Sequence, residues 1–177
     1  MKSKPIIFLL ALTVAGIGFS GCIKKRGCTS SFADNYDPEA QQDDDTCVPT
    51  REKFVGIFES NGTVETGDEP GVLIPFDDVF VNIEDSTATS EDGLVLSIIN
   101  IDSDYPVLPL QASTSGQYSI NIPRQDIAVF DYFGDGNING RVIEIDITRI
   151  EEITLPDETI EYDTLYYYIY GIKELEE

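Results

Sequence analysis

The chain of 177 residues has no histidine and no tryptophan, one methionine, three cysteines, and only 11 basic residues against 33 acidic ones. Missing histidine removes the commonest general base and the commonest metal ligand. With it go the Ser-His-Asp, Cys-His and H-E-x-x-H arrangements, and no G-x-S-x-G occurs either. A hydrolase built from this sequence would rest on paired carboxylates, one of them with a raised pKa in an apolar pocket. The acids of residues 142–150 instead occupy the polar phase of an alternation, which is ordinary surface. Scarce basic charge excludes phosphate-backbone binding as a main activity, because nucleic-acid affinity comes mostly from Lys and Arg. A formal charge of −22 suits solubility, calcium or a cationic partner. No stretch carries a persuasive helical period, so the fold is read from alternation.

What is present begins with Lys2 and Lys4 and an almost unbroken apolar run over residues 6–19. Such a run suits the core of a signal peptide and falls short of the roughly 20 residues that span a bilayer. It ends in Phe19-Ser20-Gly21-Cys22. This resembles the lipobox of bacterial lipoproteins, in which the cysteine thiol takes a diacylglyceryl group and signal peptidase II cuts before it. The resemblance implies a signal peptide over 1–21, lipid on Cys22 and a tether over 22–27. Cleavage would take Lys2 and Lys4 with it and move the formal charge from −22 to −24. The alternative is an uncleaved anchor with an incidental cysteine, but Lys24-Lys25-Arg26 would then lie outside, against the positive-inside tendency. Each buried lipid methylene contributes about 0.8 kcal/mol, so two or three acyl chains hold a protein durably. The inner-membrane retention signal of other bacteria is an Asp after the lipidated cysteine. Ile23 stands there, which implies the outer membrane. Surface export of such lipoproteins looks for acids just after the cysteine. Lys24-Lys25-Arg26 is the opposite, which favours the periplasmic face, with the cell surface as the alternative.

Outside the cytoplasm, the remaining pair Cys28 and Cys47 is expected to form a disulfide. The module they bound, residues 28–50, has almost no apolar side chains to bury. A disulfide closing a loop of roughly 20 residues contributes about 3 kcal/mol by restricting the unfolded chain. Gly27-Cys28-Thr29, Ala33, Asn35-Tyr36-Asp37-Pro38, Ala40 and Asp43-Asp44 before Cys47 resemble a short module that recurs in secreted proteins of Bacteroidota. Asp34, Asp37, Asp43, Asp44 and Asp45 offer the oxygen ligands of a calcium site; the alternative is a stapled spacer with solvated acids.

Residues 51–177 form one domain that reads as all-β. Strands are expected over 53–60, around Val79, Val81 and Ile83, around Leu94, Leu96 and Ile98, over 107–112 and 118–122, from Ile143 through Ile147, and over 165–172. Pro109 marks its strand as an edge and Pro123 closes the next. Many short strands with frequent turns mean a barrel or a sandwich. The opening Lys53-Phe54-Val55-Gly56-Ile57-Phe58, the Ile120-Asn121-Ile122-Pro123-Arg124-Gln125 stretch and Gly134-Asp135-Gly136-Asn137-Ile138-Asn139-Gly140 resemble lipocalin-like lipoproteins of the same bacteria. That resemblance implies an antiparallel lipocalin-like β-barrel, with a β-sandwich as the alternative. Phe58 stands where a true lipocalin carries Trp.

Asp135, Asn137, Asn139, Gly140 and Asp146 also fit the spacing of an EF-hand-like calcium loop. Alternation from Ile143 onward leaves no room for an exiting helix, so Asn139-Gly140 is read as a tight hairpin turn, with Asp146 on a strand. Tyr166, Tyr168 and Tyr170 make a stripe at strand period, read as packing against neighbouring strands or as the wall of a ligand cavity. The chain is therefore read as a non-enzymatic binding or interaction module held at a membrane by lipid. A spacer without ligand and a carboxylate hydrolase are the alternatives. No cofactor is implied beyond calcium, no nucleic acid is a partner, and a small ligand or an envelope protein stays open.

Overall fold

The computed structural model describes residues 24–86, 92–101 and 106–175; the expected signal peptide and the expected lipidation site Cys22 lie outside them. The described chain divides into two compact units, one of residues up to 31 with 35–47, the other of 32–34 with 48 onward. In the first unit Cys28 and Cys47 are joined by a disulfide. Short bridges pair Arg26 with Gln42 and Cys28 with Tyr36, and Cys28 is the only apolar side chain buried there among the described residues.

The second unit is a closed barrel of eight antiparallel strands in chain order. They are β1 (Gly56–Thr66), β2 (Leu73–Asp85), β3 (Gly93–Ile99), β4 (Val107–Gly116), β5 (Ser119–Ile127), β6 (Phe130–Asn139), β7 (Val142–Thr154) and β8 (Ile160–Lys173). β1 pairs with β8 from Phe58↔Lys173 to Thr66↔Leu165. That seam decides for the lipocalin-like barrel over the sandwich, and it also removes the free sheet edges.

Alternation produces this fold directly. Val79, Val81 and Ile83, then Leu94, Leu96 and Ile98, then Ile143, Ile145 and Ile147 all point inward and are buried. Leu108, Leu110, Ile120, Ile122, Tyr167 and Ile169 join them and Phe58 in one core. Each fully buried aliphatic or Phe side chain contributes about 1.5–3 kcal/mol relative to exposure. The interior is thus filled by side chains, as the bore of an eight-stranded barrel permits.

Several expectations are corrected. Lys53 is not on the first strand: Thr50–Lys53 form a 3-10 turn after Pro49, and Phe54 follows it into the core, fully buried. Pro123 does not close its strand; β5 runs on to Ile127, and a register shift between Ile122 and Gln125 accommodates the residue that cannot donate. Pro109 is not on a free edge, yet the edge reading has a physical counterpart. β5 pairs with β4 only over Ser113–Gly116. Where the two strands part, the Gln125 side chain stands in for backbone. Its Oε1 accepts from the Gln111 N–H at 2.8 Å and its Nε2 donates to the Gln111 carbonyl at 3.0 Å.

The glycine-rich stretch at 134–140 is mostly strand β6, with only its last residue in the turn. The two-residue turn is Gly140-Arg141, one position later than expected, because Asn139 still pairs with Val142. Gly140 holds φ +63° with open space around it. A side chain there meets only backbone strain, so Gly140→Ala is expected to lose about 1 kcal/mol. Asn139→Ala is expected to stay within about 0.5 kcal/mol. Urea midpoints of the two variants check this, and the opposite ranking would restore the earlier turn.

Candidate functional site

With the bore filled, a concavity able to take a ligand is found on the outside of the barrel. A trough of about 500 Å³ crosses β6, β7, β8, β1 and β2. Two rows of outward side chains build it. One runs Asp135–Asp146–Tyr168–Thr63–Pro75 across the paired strands, and the next runs Asn137–Glu144–Tyr170–Asn61. Asn61 faces the two residues Asp77 and Asp78 of β2, a bulge in which Asp78 adopts φ +60° and which brings Asp77 into the lining. Inward glycines on the same strands, Gly134 and Gly136 on β6 and Gly171 on β8, let neighbouring backbone and core side chains approach closely beneath this face.

The tyrosine stripe is thereby placed. Tyr167 and Ile169 face the core, while Tyr168 and Tyr170 lie outside at 40% and 43% exposure. They pack across strands against Asp146 and Glu144 and still present open rings to the trough. Tyr168 Oη donates to Glu65 Oε2 at 3.4 Å. Burial, then the Glu65 carboxylate, hold the Tyr168 hydroxyl above its usual range.

Asp135 and Asp146 are direct cross-strand partners of like charge, an arrangement that destabilises a sheet. Partial burial, then the charges of Asp135 and Glu144, raise the Asp146 carboxyl above its ordinary 3.8. An acid raised by folding carries no penalty while protonated in both states. Ionising it lowers stability as pH climbs from the ordinary value through the raised one. Asp146→Asn is therefore expected to gain about 0.5 kcal/mol over the native chain at pH 7 and nothing near pH 3. Urea unfolding at the two pH values tests this, and a variant less stable at pH 7 would refute the repulsion.

The five acids of the cysteine-bounded module are not gathered. Asp34 belongs to the barrel unit, where its carboxylate accepts from Lys53 Nζ and from Thr50 Oγ1, each at 2.8 Å. Burial pushes this carboxyl up, but the Lys53 and Thr50 hydrogen bonds outweigh it and hold the pKa below the usual value. In the stapled unit, Asp37 takes Lys25 and the Glu39 N–H. Asp43 takes the Thr29 hydroxyl and the Asp45 N–H, and Asp44 takes Thr46. The Lys25 hydrogen bond lowers Asp37, and the Asp45 and Thr29 bonds lower Asp43. The Asp34, Asp37, Asp43 and Asp44 carboxylates each accept from a local donor.

Asp135, Asn137, Asn139 and Asp146 lie on paired strands and not in a loop, so the EF-hand spacing has no EF-hand geometry here. Among the described residues, no three acidic or sulfur ligands converge as a metal site would require.

A second carboxylate pair, Asp126 and Asp131, stands opposite across β5 and β6. The Asp131 hydrogen bond and charge raise Asp126, while Asp126 and Arg124 hold Asp131 down. Arg124 Nε donates to Asp131 at 2.7 Å at the solvent surface. Apolar side chains are exposed at the barrel end that carries the β1–β2, β5–β6 and β7–β8 turns: Val72, Leu73, Ile74, Val129, Ile160 and Tyr162. No protein-family model matches the chain, and no curated protein matches it.

Sequence reasoning named Asp135, Asn137, Asp146 and the tyrosines but assigned them to separate features. Glu144 reads as ordinary surface in its alternation, and Asp77 carries no sequence signal of its own. The signal that joins them is register: Asp146 opposite Tyr168 and Glu144 opposite Tyr170.

Proposed function

We propose that the chain is a lipid-anchored protein of the bacterial outer membrane, acylated on Cys22 and held at the periplasmic face. Its barrel serves as a non-enzymatic binding or interaction module that works through the outer trough around Tyr170. The observation that carries the binding reading is a solvent-facing concavity with two open tyrosine rings on a barrel whose bore is filled. The short apolar run before Phe19-Ser20-Gly21-Cys22 supports the anchor. A filled bore also suits a spacer without ligand. Against the spacer stand the trough and the apolar turns at one barrel end, since single-purpose surfaces have little reason to keep either.

Metabolic acyl labelling tests the anchor: label is expected on the native chain and absent from Cys22→Ser, which moves to the soluble fraction. Label retained by the serine variant would overturn that part. Thermal denaturation of the full chain against a basic peptide, a neutral oligosaccharide, a fatty acid and calcium tests the module. At least one of the four is expected to raise the midpoint by about 2 °C or more, near 1 kcal/mol for a chain of this size, and Tyr170→Ala to abolish the shift. Silence across the panel favours the spacer.

A further inference from the structure

The trough around Tyr170 is longer than one depression. Two further hollows of about 410 and 330 Å³ adjoin it, and Tyr170 lines all three. Glu59, Asp77 and Asp78 border the one toward β2, and Glu144 borders the one toward the β6–β7 turn. No Lys or Arg lines any of the three, among the described residues. The concavity is thus elongated, acidic from end to end, and floored with aromatic rings.

On the reading of this face as the binding surface, we propose that it takes a basic peptide segment in extended form. An arginine or lysine side chain of that segment would seat on Tyr168 and Tyr170 between the carboxylates of Asp135, Glu144 and Asp146. Charge complementarity selects this occupant: the lining is anionic, and the whole chain carries −22. Open aromatic faces bind organic cations over the ring, and carboxylates add charge-assisted hydrogen bonds to a guanidinium or ammonium group. Geometry selects against a bare metal ion, because these acids spread along two rows and do not converge on one point. The Tyr168 hydroxyl also faces Glu65 at 3.4 Å, which adds one more carboxylate beside the rings.

Calorimetric titration of the full chain in non-ionic detergent tests the proposal, with N-acetyl tetra-arginine amide as probe and neutral N-acetyl tetra-citrulline amide as its near-isostere. Tetra-arginine is expected to bind at least tenfold more tightly. Tyr170→Ala, and separately the double change Asp135→Asn with Asp146→Asn, are expected to weaken it at least tenfold. Asp68→Asn with Glu69→Gln, acids of the exposed β1–β2 turn, should change it less than twofold. All altered side chains lie at the surface, and a melting curve for each variant confirms the fold. Equal binding of the two peptides would overturn the proposal, as would equal loss in the turn control, which would mean diffuse attraction to net charge. Binding of maltoheptaose at Tyr170 in place of tetra-arginine would overturn the cationic ligand and leave the outer face as a binding surface. Silence of both probes there would overturn the ligand and the surface together.

Discussion

Gly134→Ala is expected to lose about 3 kcal/mol of barrel stability, at the upper end of what overpacking costs. A Cβ at Gly134 would stand 2.0 Å from the Asp146 carbonyl oxygen and 3.1 Å from its carbonyl carbon. Both neighbours are backbone, so no rotamer change relieves the contact. β6 would have to move away from β7, along a ladder that runs from Phe130↔Glu151 to Asn139↔Val142. The same movement would shift Asp135 against Asp146 and open the trough floor, so the variant is expected to lose trough shape together with stability. Urea unfolding followed by far-UV circular dichroism measures the effect. A change within about 0.5 kcal/mol would mean that β6 and β7 part at this point at little cost.

Replacing Cys28 and Cys47 with serine is expected to disorder the stapled unit and leave the barrel intact. That unit buries almost no apolar surface of its own among the described residues, so it lacks the usual source of order. What it has besides the Cys28–Cys47 bond is a set of local contacts, such as the Lys25 pair with Asp37 and the Asn35 amide on the Thr46 carbonyl. Exposed ion pairs of this kind contribute roughly 0–1 kcal/mol each. Loss of the disulfide removes about 3 kcal/mol and exceeds them. Cleavage at Glu39 by a glutamate-specific protease should accelerate at least tenfold, while the melting midpoint of the barrel moves little. An unchanged cleavage rate would show that the local contacts suffice.

Much of the barrel was legible because its strands alternate cleanly. Ile143, Ile145 and Ile147 announce both their strand and its inward face, and Leu94, Leu96 and Ile98 do the same. β6 was not read as a strand, since Gly134, Asp135, Gly136, Asn137 and Asn139 are turn formers by local preference. They hold a strand because the two glycines face inward, where neighbouring strands leave no room for a side chain. Pro123 misled for a related reason: its missing donor matters only if the ladder needs it, and the bulge together with the Gln125 amide supplies the bonds instead. Asp34 looked like a neighbour of Asp37 and Asp43 by sequence. The bridge between Ala33 and Pro49 carries it into the barrel unit, a non-local pairing invisible to spacing. The trough was hidden most completely. Its residues come from strands far apart in the chain, and only the closure of β8 on β1 sets Tyr168 beside Thr63 and Tyr170 beside Asn61.

A filled bore moves any recognition to the outer wall, which gives position 170 a special place. A photoreactive phenylalanine analogue at 170, compared with one at exposed position 107 on β4, four strands away around the barrel, asks where the protein makes its contacts in the cells that produce it. A discrete adduct at 170 and none at 107 is the expected result. No adduct at 170, or the same adducts from both positions, would contradict the account.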